Sequence, residues 1–150
     1  MTDPVRLDPA APDLARWLRA GDLVLIGQGC GEPLTLSQAL VAQRHALPSI
    51  TVLLFTVMSD TFQPEHADAL SFRATAVTTG TRALAASGAI DVIPAHYGDL
   101  ERIVHDGRLA PDVVMVQVSP PGPDGRYTLG AAHDQSIAAI PRARVVIAEV

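Results

Sequence analysis

The chain has 150 residues, of which 48% are hydrophobic and 18% charged, and its formal net charge at pH 7 is −5. This composition predicts one packed globular domain, and the acidic balance argues against nucleic acid and anionic membrane surfaces as partners. All eleven basic residues are arginine and Cys30 is the single cysteine, which excludes lysine chemistry, an internal disulfide and a multi-cysteine metal site.

The start of the sequence is acidic and proline-rich, unlike a signal peptide, and no apolar stretch approaches the roughly 20 residues of a membrane span. Together with the low cysteine content, this predicts a cytoplasmic protein.

Helical and strand patterns alternate along the chain. The predicted elements are, in order, an arm over 1–12, a helix over 13–20, a strand over 23–27, a helix over 34–47, a strand over 50–55, an irregular stretch over 58–72, a helix over 78–87, a strand over 89–93, a helix over 98–106, a strand over 113–118, a helix over 134–140 and a strand over 144–150. Short apolar runs between helices are typical of parallel strands buried on both faces. We therefore predict an α/β fold, with an open, mostly parallel sheet flanked by helices.

The turn after the first predicted strand reads GQGCGEP. Gly27 and Gly29 fit the start of a dinucleotide fingerprint, but Glu32 stands at the third glycine position, where its carboxylate would face the pyrophosphate. A phosphate loop is excluded because its lysine is absent. Two interpretations stay open: the N–H groups of Gly27, Gly29 and Gly31 stabilise a carbonyl or carboxylate, or the glycines only permit a tightly packed turn.

Longer motifs in the sequence indicate a protein family. The G-x-G-x-P turn, the stretch SFRATAVTTGTRALAASGAIDVIPAHYGD and the stretch DVVMVQVSPPGPDGRYTLGAAHD resemble the N-terminal half of the acetyl-CoA hydrolase/CoA-transferase family. The resemblance covers residues 20–150 and implies a domain of the NagB/RpiA/CoA-transferase type. It also implies that the chain is a first domain that ends before the second, catalytic one.

The resemblance implies transfer of CoA between a short-chain acyl-CoA and a small carboxylate. In the family a glutamate of the second half attacks the thioester, giving an anhydride and then a glutamyl-CoA thioester, which the acceptor carboxylate displaces. No catalytic residue is therefore expected here. Coenzyme A enters as a substrate, and we expect no cofactor and no metal.

Two alternatives stay open beside the transferase: an acyl-CoA hydrolase of the same family, and a non-catalytic α/β module that binds a small acid or a partner subunit. The expected partners are acyl-CoA, a small carboxylate, a second CoA-transferase domain or subunit, and further copies of the chain as a homo-oligomer.

The resemblance further implies a set of substrate-binding residues on this half: Gly27, Gly29, Gly31, Ser71, Thr78, Thr79, His96 and Ser119. Hydroxyl groups suit the role because they donate to a carboxylate without adding charge. For Thr78 and Thr79 the alternative is a helix N-cap. For His96 it is an ordinary loop histidine, and for Ser119 a role in shaping the pocket beside its prolines.

Overall fold

The computed structural model describes residues 5–8 and 10–150, which fold around a six-stranded sheet with the order β4-β3-β2-β1-β5-β6. All neighbouring strands are parallel. The strands are β1 (Leu23–Ile26), β2 (Thr51–Leu54), β3 (Ser71–Ala74), β4 (Ile90–Val92), β5 (Val113–Gln117) and β6 (Val145–Glu149). The predicted α/β fold with a parallel sheet is confirmed.

Helices cover both faces of the sheet. In the described residues the α-helices are α1 (Leu34–Ala42), α2 (Arg82–Ser87), α3 (Leu100–His105) and α4 (Asp134–Ala139), with 3-10 turns at Gly29–Gly31, Pro64–Asp68, Thr79–Thr81 and Tyr97–Asp99. None of these helices has the length and apolar character required to cross a membrane.

Two apolar clusters attach the helices to the sheet. On one face, Leu40 of α1 and Leu84 of α2 are fully buried in a cluster with Val52 of β2. On the other face, Leu100 of α3 packs in a cluster with Leu25 of β1. Because side chains alternate along a strand, the central strands supply residues to both clusters. Each such buried side chain stabilises the fold by about 1.5–3 kcal/mol.

The strand order changes direction at β1. The chain proceeds outward from β1 through β2 and β3 to β4, then returns through α3 to β5 on the other side of β1. The connections on the two sides of β1 lie against opposite faces of the sheet. A crevice therefore opens between the carboxyl ends of β1 and β5, the position where α/β sheets most often bind ligands.

The sequence prediction was wrong about one strand. β3 begins at the end of the stretch 58–72 that we expected to be irregular, and it was not predicted because its sequence SFRA has only two buried side chains, Phe72 and Ala74. Arg73 between them interrupts the apolar run and forms a 3.1 Å ion pair with Asp91 of β4. A strand of four residues with a central arginine gives too short an apolar pattern to recognise.

Two predicted helices also differ from what the structure shows. Residues 13–20 form no helix but a single turn, in which the N–H of Leu18 donates to the carbonyl of Leu14 at 3.2 Å. Both leucines are buried, so burial and not helix formation explains their spacing. Helix α1 ends at Ala42, five residues early, where the Arg44 guanidinium donates to the carbonyl of Val41 at 3.2 Å.

The arm expected over 1–12 stays a prediction, since residues 1–4 and 9 lie outside the described residues. Within the described part of that stretch, Leu7 packs partly buried against the apolar cluster of α1 and α2.

Candidate functional site

The carboxyl ends of the parallel strands meet at one edge of the sheet, which we call the carboxyl edge. The segments that leave it after the first five strands begin at Gly27, Phe55, Thr75, Ile93 and Val118. Because the change of strand direction lies between β1 and β5, residues of their two connections are the first candidates for ligand contact.

The connection after β1 is the glycine loop, residues 27–33. Each of its glycine N–H groups donates to a main-chain carbonyl, Gly27 to Met115 at 2.8 Å, Gly29 to Thr56 at 2.8 Å and Gly31 to Gln28 at 3.0 Å. These bonds tie the loop to its own turn and to the strands on either side. A substrate carbonyl would have to share an N–H group that already has an acceptor.

Close packing explains at least two of the glycines. A Cβ atom on Gly27 would lie 2.6 Å from the carbonyl oxygen of Gly31, and one on Gly31 would lie 2.9 Å from that of Ala132. Both distances are shorter than side chains tolerate, and both neighbours are main-chain atoms. The geometry thus favours the tight-turn interpretation, and substrate binding by Gly27, Gly29 and Gly31 stays a prediction.

Gln28 connects the glycine loop to two other segments. Its side chain is only 5% exposed. The Oε1 atom accepts the N–H of Thr56 at 3.3 Å, and Nε2 donates to the phenol oxygen of Tyr97 at 2.9 Å. The connections after β1, β2 and β4 therefore meet at a single amide. Sequence analysis missed this residue, because a glutamine between two glycines gives no signal of burial.

Glu32, which argues against a dinucleotide fingerprint, has a structural partner instead. Its buried carboxylate accepts the N–H groups of Met58 at 3.3 Å and Ser59 at 3.2 Å, and the hydroxyl of Ser59 at 2.5 Å. Hydrogen bonds to a carboxylate are the stronger kind. Glu32 therefore fixes the end of the glycine loop to the segment after β2.

The connection after β5 forms a closed loop over residues 119–128. Ser119 and Thr128 join its ends: the Ser119 N–H donates to the Thr128 carbonyl at 2.9 Å, and the Thr128 N–H donates to Ser119 Oγ at 3.1 Å. The Ser119 hydroxyl donates its own proton to the carbonyl of Pro120 at 2.9 Å. Ser119 therefore closes this loop, as the pocket-shaping alternative requires.

A cleft of about 290 Å³ lies between the connections after β1 and β5. Its lining residues are Cys30, Gly31, Gln117, Val118, Ser119, Leu129, Gly130, Ala131 and Ala132. We call it the switch-point cleft. Two of the predicted site residues, Gly31 and Ser119, line it, and the exposed thiol of Cys30 lies at its border.

The structure places Thr78, Thr79 and His96 at the same edge of the sheet. Thr78 is the N-cap of the turn Thr79–Thr81, and its N–H donates to Thr81 Oγ1 at 2.8 Å, as expected for a cap. Its hydroxyl donates to the carbonyl of Val57 at 3.1 Å. Thr79 is exposed. His96 is exposed and its Nδ1 accepts the N–H of Gly98 at 3.3 Å, which leaves the proton of the neutral ring on Nε2.

Ser71 lies apart from the other predicted residues. It is the first residue of β3 and therefore stands at the amino edge of the sheet, on the opposite side from the glycine loop. The structure does not bring it to the switch-point cleft. The resemblance implied a substrate contact for Ser71, but the first residue of a strand lies at the edge of the sheet opposite the strand's carboxyl end, so this contact stays a prediction.

Two charged residues near the carboxyl edge, Asp99 and Arg102, form an ion pair. The Arg102 guanidinium donates to Asp99 at 2.8 Å, and this hydrogen bond holds the pKa of the Asp99 carboxyl below its ordinary value. Asp99 thus stays ionised at neutral pH with its charge balanced. Within the described part of the chain, no three His, Cys, Asp or Glu side chains converge as metal ligands.

Comparison with known proteins identifies the family of this domain. Residues 9–150 match the acetyl-CoA hydrolase/transferase N-terminal domain. The chain belongs to this family. The match covers both the glycine loop and residues 117–130, which lie side by side at the switch-point cleft.

Relatives of this acetyl-CoA hydrolase/transferase domain include enzymes of known type. The 4-hydroxybutyrate coenzyme A transferase of Clostridium kluyveri is 29% identical over 129 residues, which are 85% of this chain and 30% of that protein. A 4-hydroxybutyrate CoA-transferase structure from Porphyromonas gingivalis has a TM-score of 0.66 and 26% identity, and the match covers 91% of this chain and 31% of that one.

The fold also matches that of RipA from Yersinia pestis, with a TM-score of 0.82 and 22% identity over 92% of this chain and 35% of that one. The acetyl-CoA hydrolase/transferase domain thus spans about a third of the length of the relatives that it matches.

Proposed function

We propose that this domain supplies the small-acid side of the active site of a CoA-transferase, which moves CoA between a short-chain acyl-CoA and a small carboxylate. The switch-point cleft carries the proposal. It lies at the carboxyl edge between β1 and β5, and two family motifs, the glycine loop and residues 117–130, line it. Ligands in open α/β sheets bind at this position.

The chemistry of the edge suits a small acid. A chain without lysine cannot hold a carboxylate with an ammonium group, so recognition depends on neutral donors and on arginine. The Nε2 proton of His96 is one such donor, because the N–H of Gly98 already occupies Nδ1. A donor of this kind fixes the orientation of a carboxylate before it reacts.

The reaction itself requires a glutamate outside residues 1–150. The glutamate carboxylate attacks the acyl-CoA carbonyl, the C–S bond breaks, and CoA leaves as thiolate, which forms an acyl-glutamyl anhydride. The thiolate then attacks the glutamyl carbonyl and releases the first carboxylate, leaving glutamyl-CoA. The acceptor carboxylate repeats these steps in reverse. In this scheme the domain orients the carboxylates, and the hydrolase alternative differs because water resolves the intermediate.

The first experiment is to purify the protein from its source and to measure the mass of the native complex and of each denatured chain. The preparation is then incubated with acetyl-CoA and deuterated acetate. A transferase forms deuterated acetyl-CoA, whereas a hydrolase forms free CoA. We expect deuterated acetyl-CoA from the assembly that contains the second domain, and no reaction from the 15.8 kDa chain by itself.

Two glutamine substitutions test whether the switch-point cleft takes part in binding the carboxylate. Gln117→Leu changes the lining of this cleft, whereas Gln38→Leu changes a second groove of about 460 Å³ beside α1. We expect Q117L to raise the KM for the carboxylate about tenfold, the effect of losing one good hydrogen bond to a charged group. Q38L should leave it unchanged. Turnover by residues 1–150 alone, or equal effects of the two substitutions, would contradict the proposal.

A further inference from the structure

Two of the hydroxyl groups expected to bind substrate already donate their single proton within the chain. Ser119 Oγ donates to the carbonyl of Pro120 at 2.9 Å, and Thr78 Oγ1 donates to that of Val57 at 3.1 Å. Each would have to give up a hydrogen bond before it could donate to a carboxylate. The better donor is a hydroxyl that is held in place by a bond it accepts.

Tyr97 has that arrangement. Its phenol oxygen accepts a 2.9 Å hydrogen bond from Nε2 of Gln28. The orientation of the Gln28 amide is fixed because its other end, Oε1, accepts the N–H of Thr56. An N–H group can pair only with the oxygen end, so the nitrogen end must face Tyr97. The phenol proton is then left to donate to another acceptor.

The surroundings of Tyr97 are those of a contact residue and not of a core residue. The side chain is 53% exposed, whereas Gln28, which holds it, is 5% exposed. Gln28 lies between Gly27 and Gly29, so the hydrogen bond positions the phenol beside the glycine loop. A rigid buried amide thus presents an accessible neutral donor at the carboxyl edge, together with an aromatic ring that can cover a short acyl chain.

We propose that Tyr97 binds the carboxylate of the small acid and that Gln28 is its positioning residue. The inference rests on the proposed function and adds to it one specific contact. The Tyr97 O–H donates to a carboxylate oxygen, while the amide of Gln28 keeps the phenol oxygen in place. A donor to a carboxylate forms a stronger hydrogen bond than one to a neutral acceptor.

The test uses the whole chain, labelled with ¹⁵N and titrated with sodium acetate at constant ionic strength maintained with sodium chloride. Tyr97→Phe removes only the hydroxyl group. Tyr127→Phe is the matched control, because Tyr127 is the other tyrosine of the sequence and is 49% exposed in the loop after β5. We expect acetate to cause saturable shifts of the amide signals near residues 27–31. The dissociation constant for acetate should be the same for the unsubstituted chain and Y127F, and at least tenfold larger for Y97F.

Equal acetate affinity in Y97F and the unsubstituted chain overturns the assignment and leaves the proposed function intact, because acetyl-CoA exchange tests that separately. Absence of any saturable shift in the unsubstituted chain also overturns it, even if the complete enzyme transfers CoA. Gln28→Met tests positioning. We expect it to weaken acetate binding in the native sequence and to have no further effect in the Y97F background, whereas an additional loss there overturns the positioning role.

Discussion

Gly27 and Gly31 show how little space the glycine loop leaves for a side chain. The Cβ of an alanine at position 27 would meet the Gly31 carbonyl oxygen at 2.6 Å and that of Met115 at 3.3 Å. Neither is the flexible end of a side chain, so the backbone of the loop has to move. Close packing therefore explains why positions 27 and 31 are glycine, without a bound ligand.

We therefore expect Gly27→Ala to lower the free energy of unfolding by about 1–3 kcal/mol, the usual result of overpacking. Gly98→Ala is the control, since the nearest atom to its Cβ would be His96 Nδ1 at an ordinary 3.5 Å, and surface changes usually stay within about 0.5 kcal/mol. Urea unfolding monitored by circular dichroism measures both. Equal stabilities would show that the loop can accommodate the methyl group.

A second pair of residues, Asp68 and Arg44, allows a prediction about pH. The Arg44 guanidinium donates to both carboxylate oxygens of Asp68, at 2.9 and 3.3 Å. These hydrogen bonds lower the pKa of Asp68 below its ordinary value of 3.8. A lowered pKa in the folded state means that the pair stabilises the fold above the unfolded-state pKa, and that this contribution disappears as the pH falls through the folded-state pKa.

Arg44→Met should accordingly raise the pKa of Asp68 toward its ordinary value, as followed by carboxyl ¹³C shifts in an NMR titration. His45→Gln is the control, because His45 lies 3.3 Å from Asp68 but ranks below Arg44 among the causes of the shift. The stabilities of R44M and the unsubstituted chain should converge as the pH falls through the lowered folded-state pKa of Asp68, because the carboxylate is then protonated. A larger shift in the histidine variant would contradict the assigned cause.

At the scale of elements, β6 caps α1 across the fold. The Glu149 carboxylate at the end of β6 accepts the Thr35 hydroxyl at 2.9 Å and the N–H of Leu36 at 3.2 Å. Both donors belong to the first turn of α1, whose N-cap position is Pro33, with no side-chain hydrogen bond of its own. A negative charge at this end also complements the helix dipole.

We expect Glu149→Ala to destabilise the chain by about 1 kcal/mol, the typical effect of losing a cap. Thr35→Val removes the partner hydroxyl, and the double variant completes a thermodynamic cycle. A coupling energy of at least about 0.5 kcal/mol, with faster amide exchange in the first turn of α1, supports the contact. Strict additivity would show that Thr35 and Glu149 act independently.

The same scale shows what sequence can and cannot predict. The strands β1, β2 and β5 were correctly predicted because they are apolar runs buried on both faces, and Gly88 correctly ended α2 because it adopts a left-handed conformation with φ 74°. β3 was missed because Arg73 interrupts it. The Gln28, Glu32 and Glu149 contacts were missed because each joins residues at least 26 positions apart, and periodicity carries no information on such pairs.

For the whole molecule, the strand order determines which distant segments of the chain meet at the carboxyl edge. Motifs after β1 and β5 are nearly 90 residues apart in sequence, yet Gly27 donates to Met115 at 2.8 Å because the two strands are neighbours. The motifs could be recognised from sequence by resemblance. Their meeting at a single cleft follows only from the sheet order.

The carboxyl edge also exposes apolar side chains from four different connections. Met58, Val77, Tyr97 and Tyr127 are 66%, 53%, 53% and 49% exposed, and they follow β2, β3, β4 and β5 respectively. Isolated exposed apolar residues are ordinary, but several at one edge of a sheet indicate a surface that associates. When the chain is alone in solution, the carboxyl edge can bury these side chains against the same edge of another copy.

We therefore expect the isolated chain to self-associate and to bind an apolar dye, with a weight-average mass that rises with concentration in sedimentation velocity. The double variant Met58→Gln and Val77→Thr should shift the distribution toward the monomer and reduce dye fluorescence. The control Val146→Thr removes an exposed apolar group near the start of β6 instead, and should leave association unchanged. A sharp monomer without dye binding would show that the carboxyl edge is not an association surface in this chain, because burial of apolar area is the driving force that the argument requires.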